Sequence, residues 1–77
     1  MITVLLFAHL QEEAGKDRIE LQSDTLTVAE LKEKLEESYQ LKGLNNVMVA
    51  INEEYALNDD QVKKGDTVAF IPPVSGG

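Results

Sequence analysis

Leu26-Thr27-Val28-Ala29-Glu30-Leu31-Lys32-Glu33-Lys34-Leu35 carries the clearest structural signal in the 77-residue chain. Thr27 and Glu30 have the spacing of a capping box, in which the hydroxyl and the carboxylate each satisfy a backbone N–H left unpaired at a helix start. Leu26 before the cap and Leu31 in the fourth helical position form a hydrophobic staple. Val28, Leu31 and Leu35, extended by Tyr39, make one apolar stripe, with Lys32, Glu33, Glu36 and Glu37 outside it. Gly43 is placed to end the helix.

The segments on either side read as strands. Upstream, Ile2-Thr3-Val4-Leu5-Leu6-Phe7-Ala8 is β-branched and apolar. Period-2 alternation sets Ile2, Val4 and Leu6 on one face, and Thr3, Leu5 and Phe7 on the other. Only one of these faces can meet a core this small. His9 to Lys16 is a polar connection with a helical turn at Leu10–Ala14, ended by Gly15. Arg18-Ile19-Glu20-Leu21-Gln22 alternates with Ile19 and Leu21 inward, so the first two strands suggest an antiparallel pair. Downstream, Val47-Met48-Val49-Ala50-Ile51 is nearly all apolar and reads as a central strand. Asn52-Glu53-Glu54 is a turn, Tyr55-Ala56-Leu57 a short strand, and Asn58-Asp59-Asp60 opens a polar connection. After a turn at Lys64-Gly65-Asp66, the last strand is Thr67-Val68-Ala69-Phe70-Ile71. The order β-β-α-β-(β)-β, with one helix across one face of a mixed sheet, is a two-layer α+β roll.

A chain of this length makes one domain and buries only roughly 60–65% of its unfolded surface, so its core is small. Its apolar fraction of 43% suffices for a globular core. A binding or carrier module fits this size better than an enzyme with a deep cleft. There are no cysteines, which excludes disulfides and thiolate metal sites. Any sulfur chemistry therefore runs on something other than a side-chain thiol. The apolar start is too short for a membrane span and lacks a basic leader, so a soluble cytoplasmic protein is expected. A net charge of -7 repels phosphate backbones and argues against nucleic-acid binding. It favours partners with basic docking surfaces, although acidity also serves solubility alone.

The ending Phe70-Ile71-Pro72-Pro73-Val74-Ser75-Gly76-Gly77 is the stretch most informative about function. Pro72 and Pro73 lack amide donors, so they stop the sheet ladder and stiffen the exit. The division expected is a domain over residues 1–73 and a flexible tail over 74–77. Val74–Gly77 spans at most about 13–14 Å when fully extended. That reach suffices to carry the carboxylate of Gly77 away from the globule and into a narrow channel of another protein. Glycine suits such a channel because it has no Cβ to clash. The alternative is a frayed end with no role. A terminal carboxylate, with a reference pKa of about 3.3–3.7, is ionised and a poor electrophile at neutral pH. It must be activated first, as an acyl-adenylate made from ATP. The chain has no phosphate-binding loop, so that step belongs to a partner and no cofactor is bound here.

Other positions offer less. His9, the sole histidine, has no nucleophile constellation around it. Glu12 and Glu13, Glu53 and Glu54, and Asp59 and Asp60 lack metal-site spacing and read as solvated turn residues, so no metal site is expected. Leu5, Phe7 and Ile71 differ. If the helix covers the Ile2/Val4/Leu6 and Val68/Phe70 face, these three lie on the uncovered face, beside the root of the tail. An apolar patch there suggests docking, unless loops cover it.

Three segments then resemble a known family: Val4–Glu12, Val49–Tyr55 and, most specifically, Gly65–Gly77. Together they resemble the small subunit of molybdopterin synthase, the MoaD family, over essentially the whole chain. The resemblance implies a β-grasp (ubiquitin-like) fold with the first and last strands parallel in its centre. It also implies that Gly77 is adenylated by a partner related to ubiquitin-activating enzymes and converted to a thiocarboxylate. By the same resemblance Val74, Ser75 and Gly76 thread the channel of a large subunit, which holds the catalytic residues, and Gly77 there donates sulfur to cyclic pyranopterin monophosphate. The assembly implied is a heterotetramer of two small and two large chains. Phe7, Tyr55 and Ile71, with Pro72 and Pro73, are implied as the partner-binding surface. The chain has Ser75 where many relatives have threonine, and Gln11 where arginine is frequent, which leaves one polar interface contact open. The alternatives are a thiamine-pathway sulfur carrier, a ubiquitin-like protein modifier, or an interaction domain that never uses its C-terminus. The Phe70-Ile71-Pro72-Pro73-Val74-Ser75 approach argues against the thiamine carrier.

Overall fold

A computed structural model describes residues 1–41 and 44–72. The elements are β1 (Ile2–Leu6), α1 (His9–Ala14), β2 (Arg18–Leu21), β3 (Thr25–Thr27), α2 (Val28–Tyr39), a 3-10 turn (Leu44–Asn46), β4 (Met48–Ile51), β5 (Glu54–Ala56), β6 (Gln61–Lys63) and β7 (Thr67–Ile71). Five strands form a mixed sheet in the order β2-β1-β7-β4-β5. β1 and β7 pair in parallel, with Val4 opposite Val68 and Leu6 opposite Phe70. The other three pairings are antiparallel. This is the β-grasp arrangement expected from the resemblance, with β7 in the middle of the sheet.

One face of the sheet meets α2. Ile2, Val4, Leu6, Ile19, Val68 and Phe70 from the strands and Val28, Leu31 and Leu35 from the helix are buried in one cluster. Each such side chain contributes roughly 1.5–3 kcal/mol relative to exposure. That outweighs any single cap, so burial selects the fold and the cap sets where the helix begins. Leu10 anchors the short α1 to the same core. Gly15 ends α1 at φ 75, a left-handed conformation that its missing Cβ makes inexpensive.

The capping box is present in full. The Glu30 amide donates to Thr27 Oγ1 at 3.1 Å, and the Thr27 amide donates to Glu30 Oε1 at 2.9 Å. Two further amides of the first turn are satisfied from a distant loop: Val28 donates to the Asp60 carbonyl at 2.9 Å and Ala29 to the Asn58 carbonyl at 3.2 Å. The first three amides of α2 are thereby paired.

Several expectations need correction. The connection after Asp60 contains β6, which pairs antiparallel with β3 as a separate two-stranded sheet. Three residues per strand are too few for periodicity to register, and the pairing exists because Leu26 and Val62 are both buried in the core. Lys32 is not on the solvated face of α2. It is buried and its Nζ donates to Asn58 Oδ1 at 2.8 Å, so its aliphatic stem packs while its charge stays hydrogen-bonded. The helix stops at Tyr39, with Gln40 as a left-handed cap at φ 56, before Gly43, which lies outside the described residues. β1 ends at Leu6 rather than Ala8, because Ala8 takes φ 53 and turns the chain into α1. The next apolar strand, β4, is interior rather than central, lying between β7 and β5.

Replacing Thr27 with alanine should lower stability by about 0.5–2 kcal/mol, the usual cost of losing such a cap. Urea denaturation followed by circular dichroism measures it; an unchanged midpoint would mean that the distant loop alone holds this helix end.

Candidate functional site

Covering one face of the sheet with α2 leaves the other bare. The register places Leu5 beside Ala69, Ala69 beside Ala50, Ala50 beside Tyr55, and Met48 beside Ile71 on that face. Between them lies a shallow concavity of about 800 Å³, lined by Leu5, Phe7, Ala50, Asn52, Glu53, Tyr55, Thr67, Ala69 and Ile71. Its lining is mostly apolar, and several of its side chains face solvent. Phe7 is 42% exposed and Tyr55 is 74% exposed, while Ile71 is half-buried. Met48 and Leu57, also large and exposed, extend the apolar surface past the β4–β5 edge.

Local structure fixes both ends of the concavity. At one end Phe7 stands on the turn out of β1. There the Leu10 amide donates to the Phe7 carbonyl at 3.1 Å, and Gln11 Nε2 donates to the Leu6 carbonyl at 2.8 Å. Gln11 is therefore engaged within the chain. β7 ends in the same region at Ile71, and Pro72, half-buried, continues from it without an amide for the ladder. At the other end the β4–β5 hairpin turns through Asn52 and Glu53, both at positive φ, 50 and 72. A turn with both central residues left-handed matches the twist of its strands and favours asparagine first and glycine second. Asn52 meets the first preference. Glu53 departs from the second, at a cost of roughly 1–2 kcal/mol.

Asn52 also bolts this hairpin to the start of β7. Its amide donates to the Thr67 carbonyl at 2.8 Å, its Oδ1 accepts from the Thr67 amide at 3.0 Å, and its Nδ2 donates to Asp66 Oδ1 at 3.0 Å. Asp66 Oδ2 in turn accepts from the Lys63 amide at 2.8 Å. The Lys63 amide first, and then the Asn52 side chain, hold the Asp66 carboxyl below its ordinary value of 3.8.

Comparison with known proteins places this arrangement. A family model described as the ThiS family matches residues 4–77. This chain belongs to the ThiS/MoaD family. The molybdopterin synthase sulfur carrier subunit of Haemophilus influenzae is 37% identical over an alignment that takes in all of both chains. That of Dictyostelium discoideum is 41% identical, covering 96% of this chain and 93% of its own. Among solved structures, the small archaeal modifier protein 1 of Haloferax volcanii matches with a TM-score of 0.75 at 27% identity, over 95% of this chain and 97% of that one.

Within this family framework, Phe7, Tyr55 and Ile71 come together on one concavity, and Pro72 leads away from it. Pro73, Val74, Ser75, Gly76 and Gly77 lie outside the described residues, as does the boundary expected between domain and tail. Alternation along the last strand sets Thr67 and Ala69 on the side of Ile71, whereas Ala50, Asn52, Met48 and Leu57 carry no local signal for this face and Glu53 reads as a solvated turn residue. Alternation along β4 and β7 signals which residues share a side, but only strand order puts them on one surface. His9 is exposed at the start of α1, and Asp60 is engaged as acceptor for the Leu57 amide at 2.7 Å. Among the described residues, no group of three or more His, Asp or Glu side chains is placed to hold a metal ion. Nor is any helix among them long and apolar enough to cross a membrane.

The depressed Asp66 carboxyl sets a pH dependence. A carboxyl lowered on folding contributes stability above its unfolded value, and that contribution is lost as pH falls through the folded value. Asp66→Ala should therefore be less stable than the wild type at neutral pH, with the gap closing as pH drops below 3.8. Urea midpoints of the two proteins from neutral to acid pH measure this; a gap independent of pH would assign the loss to packing instead.

Proposed function

We propose that this chain is the sulfur-carrier subunit of a molybdopterin synthase, acting through the carboxylate of Gly77. The observation that carries the reading is the full-length match to relatives of that name at 37% and 41% identity. The apolar concavity beside the exit of β7 supports it, because it supplies a docking surface at the root of the tail.

The chemistry follows from the limits of a carboxylate. A partner adenylyltransferase joins the Gly77 carboxylate to the α-phosphate of ATP, with loss of pyrophosphate. Sulfide then attacks the acyl carbon, AMP leaves with its phosphate oxygen, and a thiocarboxylate remains. The large subunit receives Val74, Ser75, Gly76 and Gly77 in its channel, where the thiocarboxylate sulfur replaces an oxygen substituent on a carbon of cyclic pyranopterin monophosphate and hydrolysis of the acyl–sulfur bond returns the Gly77 carboxylate. The assembly is a cytoplasmic heterotetramer of two small and two large chains. No catalytic side chain is required of the carrier, which matches a site made of a surface and a tail.

A second reading has one specific observation in its favour. The structurally similar Haloferax volcanii chain is named a modifier protein. Incubation with ATP, the activating enzyme and sulfide separates the two. A carrier becomes one species, heavier by the exchange of one oxygen for sulfur, whereas a modifier gives ladders of conjugates. The thiamine-pathway carrier is distinguished by its acceptor.

Magnitudes divide the labour between surface and tail. Fixing four tail residues in a channel costs on the order of 1–2 kcal/mol each in backbone entropy. Residues with so little side chain offset only part of that, so the concavity must supply most of the affinity. Phe7→Ala or Ile71→Ala should weaken binding to the large subunit by more than about 1 kcal/mol, measured by titration calorimetry. Normal binding by both variants would put the affinity elsewhere. Deleting Gly76 and Gly77 should change affinity much less while abolishing sulfur transfer in a reconstituted assay. Transfer at the wild-type rate by this truncated chain would overturn the assignment of Gly77.

A further inference from the structure

Glu53 combines three features that the carrier chemistry does not use. It holds φ 72 at the turn position where glycine is favoured, so the backbone alone gives no reason for a carboxylate there. Its side chain lines the apolar concavity. Among the described residues its carboxylate has no hydrogen-bond or ion-pair partner, whereas Arg18 on the same sheet is taken by Glu20 at 3.2 Å. The Asn52 bonds to β7 hold this turn in place, so the exposed Glu53 side chain springs from a fixed point of the backbone.

We infer that Glu53 is a specificity determinant of the docking face, pairing with an arginine or lysine of the large subunit at the end of the concavity away from the tail. The inference rests on the docking reading above. The concavity is polar in the directional sense. Phe7 and Ile71 mark the end where the chain leaves β7, and Asn52 and Glu53 mark the end where β7 begins. Four residue steps along β7 separate them by about 13 Å, at roughly 3.3 Å per residue. An apolar face alone tolerates several orientations of a partner. A fixed charge at one end and an apolar anchor at the other select the orientation that aims the tail root at the partner's channel. Charge at a rim acts on encounter and orientation, while a buried apolar anchor acts on residence time. The net charge of -7 adds long-range attraction to a basic partner, and Glu53 is the member of that set placed inside the contact.

The two ends are separable by kinetics. Association of the full-length chain with the large subunit should be followed by stopped flow at roughly 50 mM and 500 mM salt, where screening lengths differ several-fold. Glu53→Gln keeps the shape and removes the charge, and it should slow association by about fivefold or more at low salt, with the difference vanishing at high salt. Glu53→Asp should recover part of the loss. Glu53→Gly should associate as slowly as Glu53→Gln while unfolding at a higher denaturant concentration, since the strained φ is relieved. Phe7→Ala, run alongside, should mainly speed dissociation. If Glu53→Gln associates like the wild type at both salts while Phe7→Ala is impaired, this inference is wrong and the docking reading stands. If the wild type does not associate at all, both fall together.

Discussion

The parallel pairing of β1 with β7 is the contact from which the rest of the structure follows. It brings the first and last strands side by side in the middle of the sheet and aligns Val4 with Val68 and Leu6 with Phe70 on the face beneath α2. Parallel neighbours cannot be joined by a tight turn, so every other element is strung between them. The same pairing settles what stays bare. A single twelve-residue helix covers one face of a five-stranded sheet, and the alternate residues of β1 and β7 are left toward solvent. Leu5, Ala69 and Ile71 are on that side because their neighbours are in the core.

Around that contact the chain secures its helix with unusual economy. Carbonyls of the loop ahead of β6 accept from the first-turn amides of α2, and the Asn58 Oδ1 of the same loop accepts from the buried Lys32 Nζ. β6 itself pairs with β3, the segment that runs directly into the cap at Thr27. Capping, the small sheet and the buried lysine are thus one arrangement that locks the helix start to the opposite end of the sequence. Each bond is modest, on the order of 0.5–1.5 kcal/mol net, but leaving the same groups buried and unpaired would cost more. Among the described residues no buried side-chain nitrogen or oxygen lacks a partner.

Membership of the ThiS/MoaD family gives this layout its meaning. A carrier needs a surface for recognition and a free end for chemistry, and the two make opposite demands. Recognition requires side chains held in place, and strained turns at Ala8 and at Asn52-Glu53 hold the backbone at either end of the concavity. Chemistry requires a carboxylate without bulky neighbours, which a helix or strand could not present. β7 ends at Ile71, and Pro72 after it has no amide with which to extend the ladder.

Much of this was legible in the residues themselves. Thr27 and Glu30 announced the helix start because capping is local, and Gly15 announced the end of α1 for the same reason. The order of the longer strands followed from alternation. The strand order was different in kind: periodicity led only as far as two layers, and resemblance supplied the β-grasp. What the sequence alone determined was therefore what depends on neighbours a few residues apart. Tertiary structure alone decided the rest. Lys32 looked like one more surface charge until Asn58, twenty-six positions away, was brought to its Nζ. β3 and β6 are too short to show a period and exist because Leu26 and Val62 share one core. Glu53 is the exposed turn residue its neighbours suggest, but its place at the end of a concavity follows only from β4, β7 and β1 lying side by side. Contacts between distant segments depend on which faces find burial together, and that choice is made by the whole chain at once.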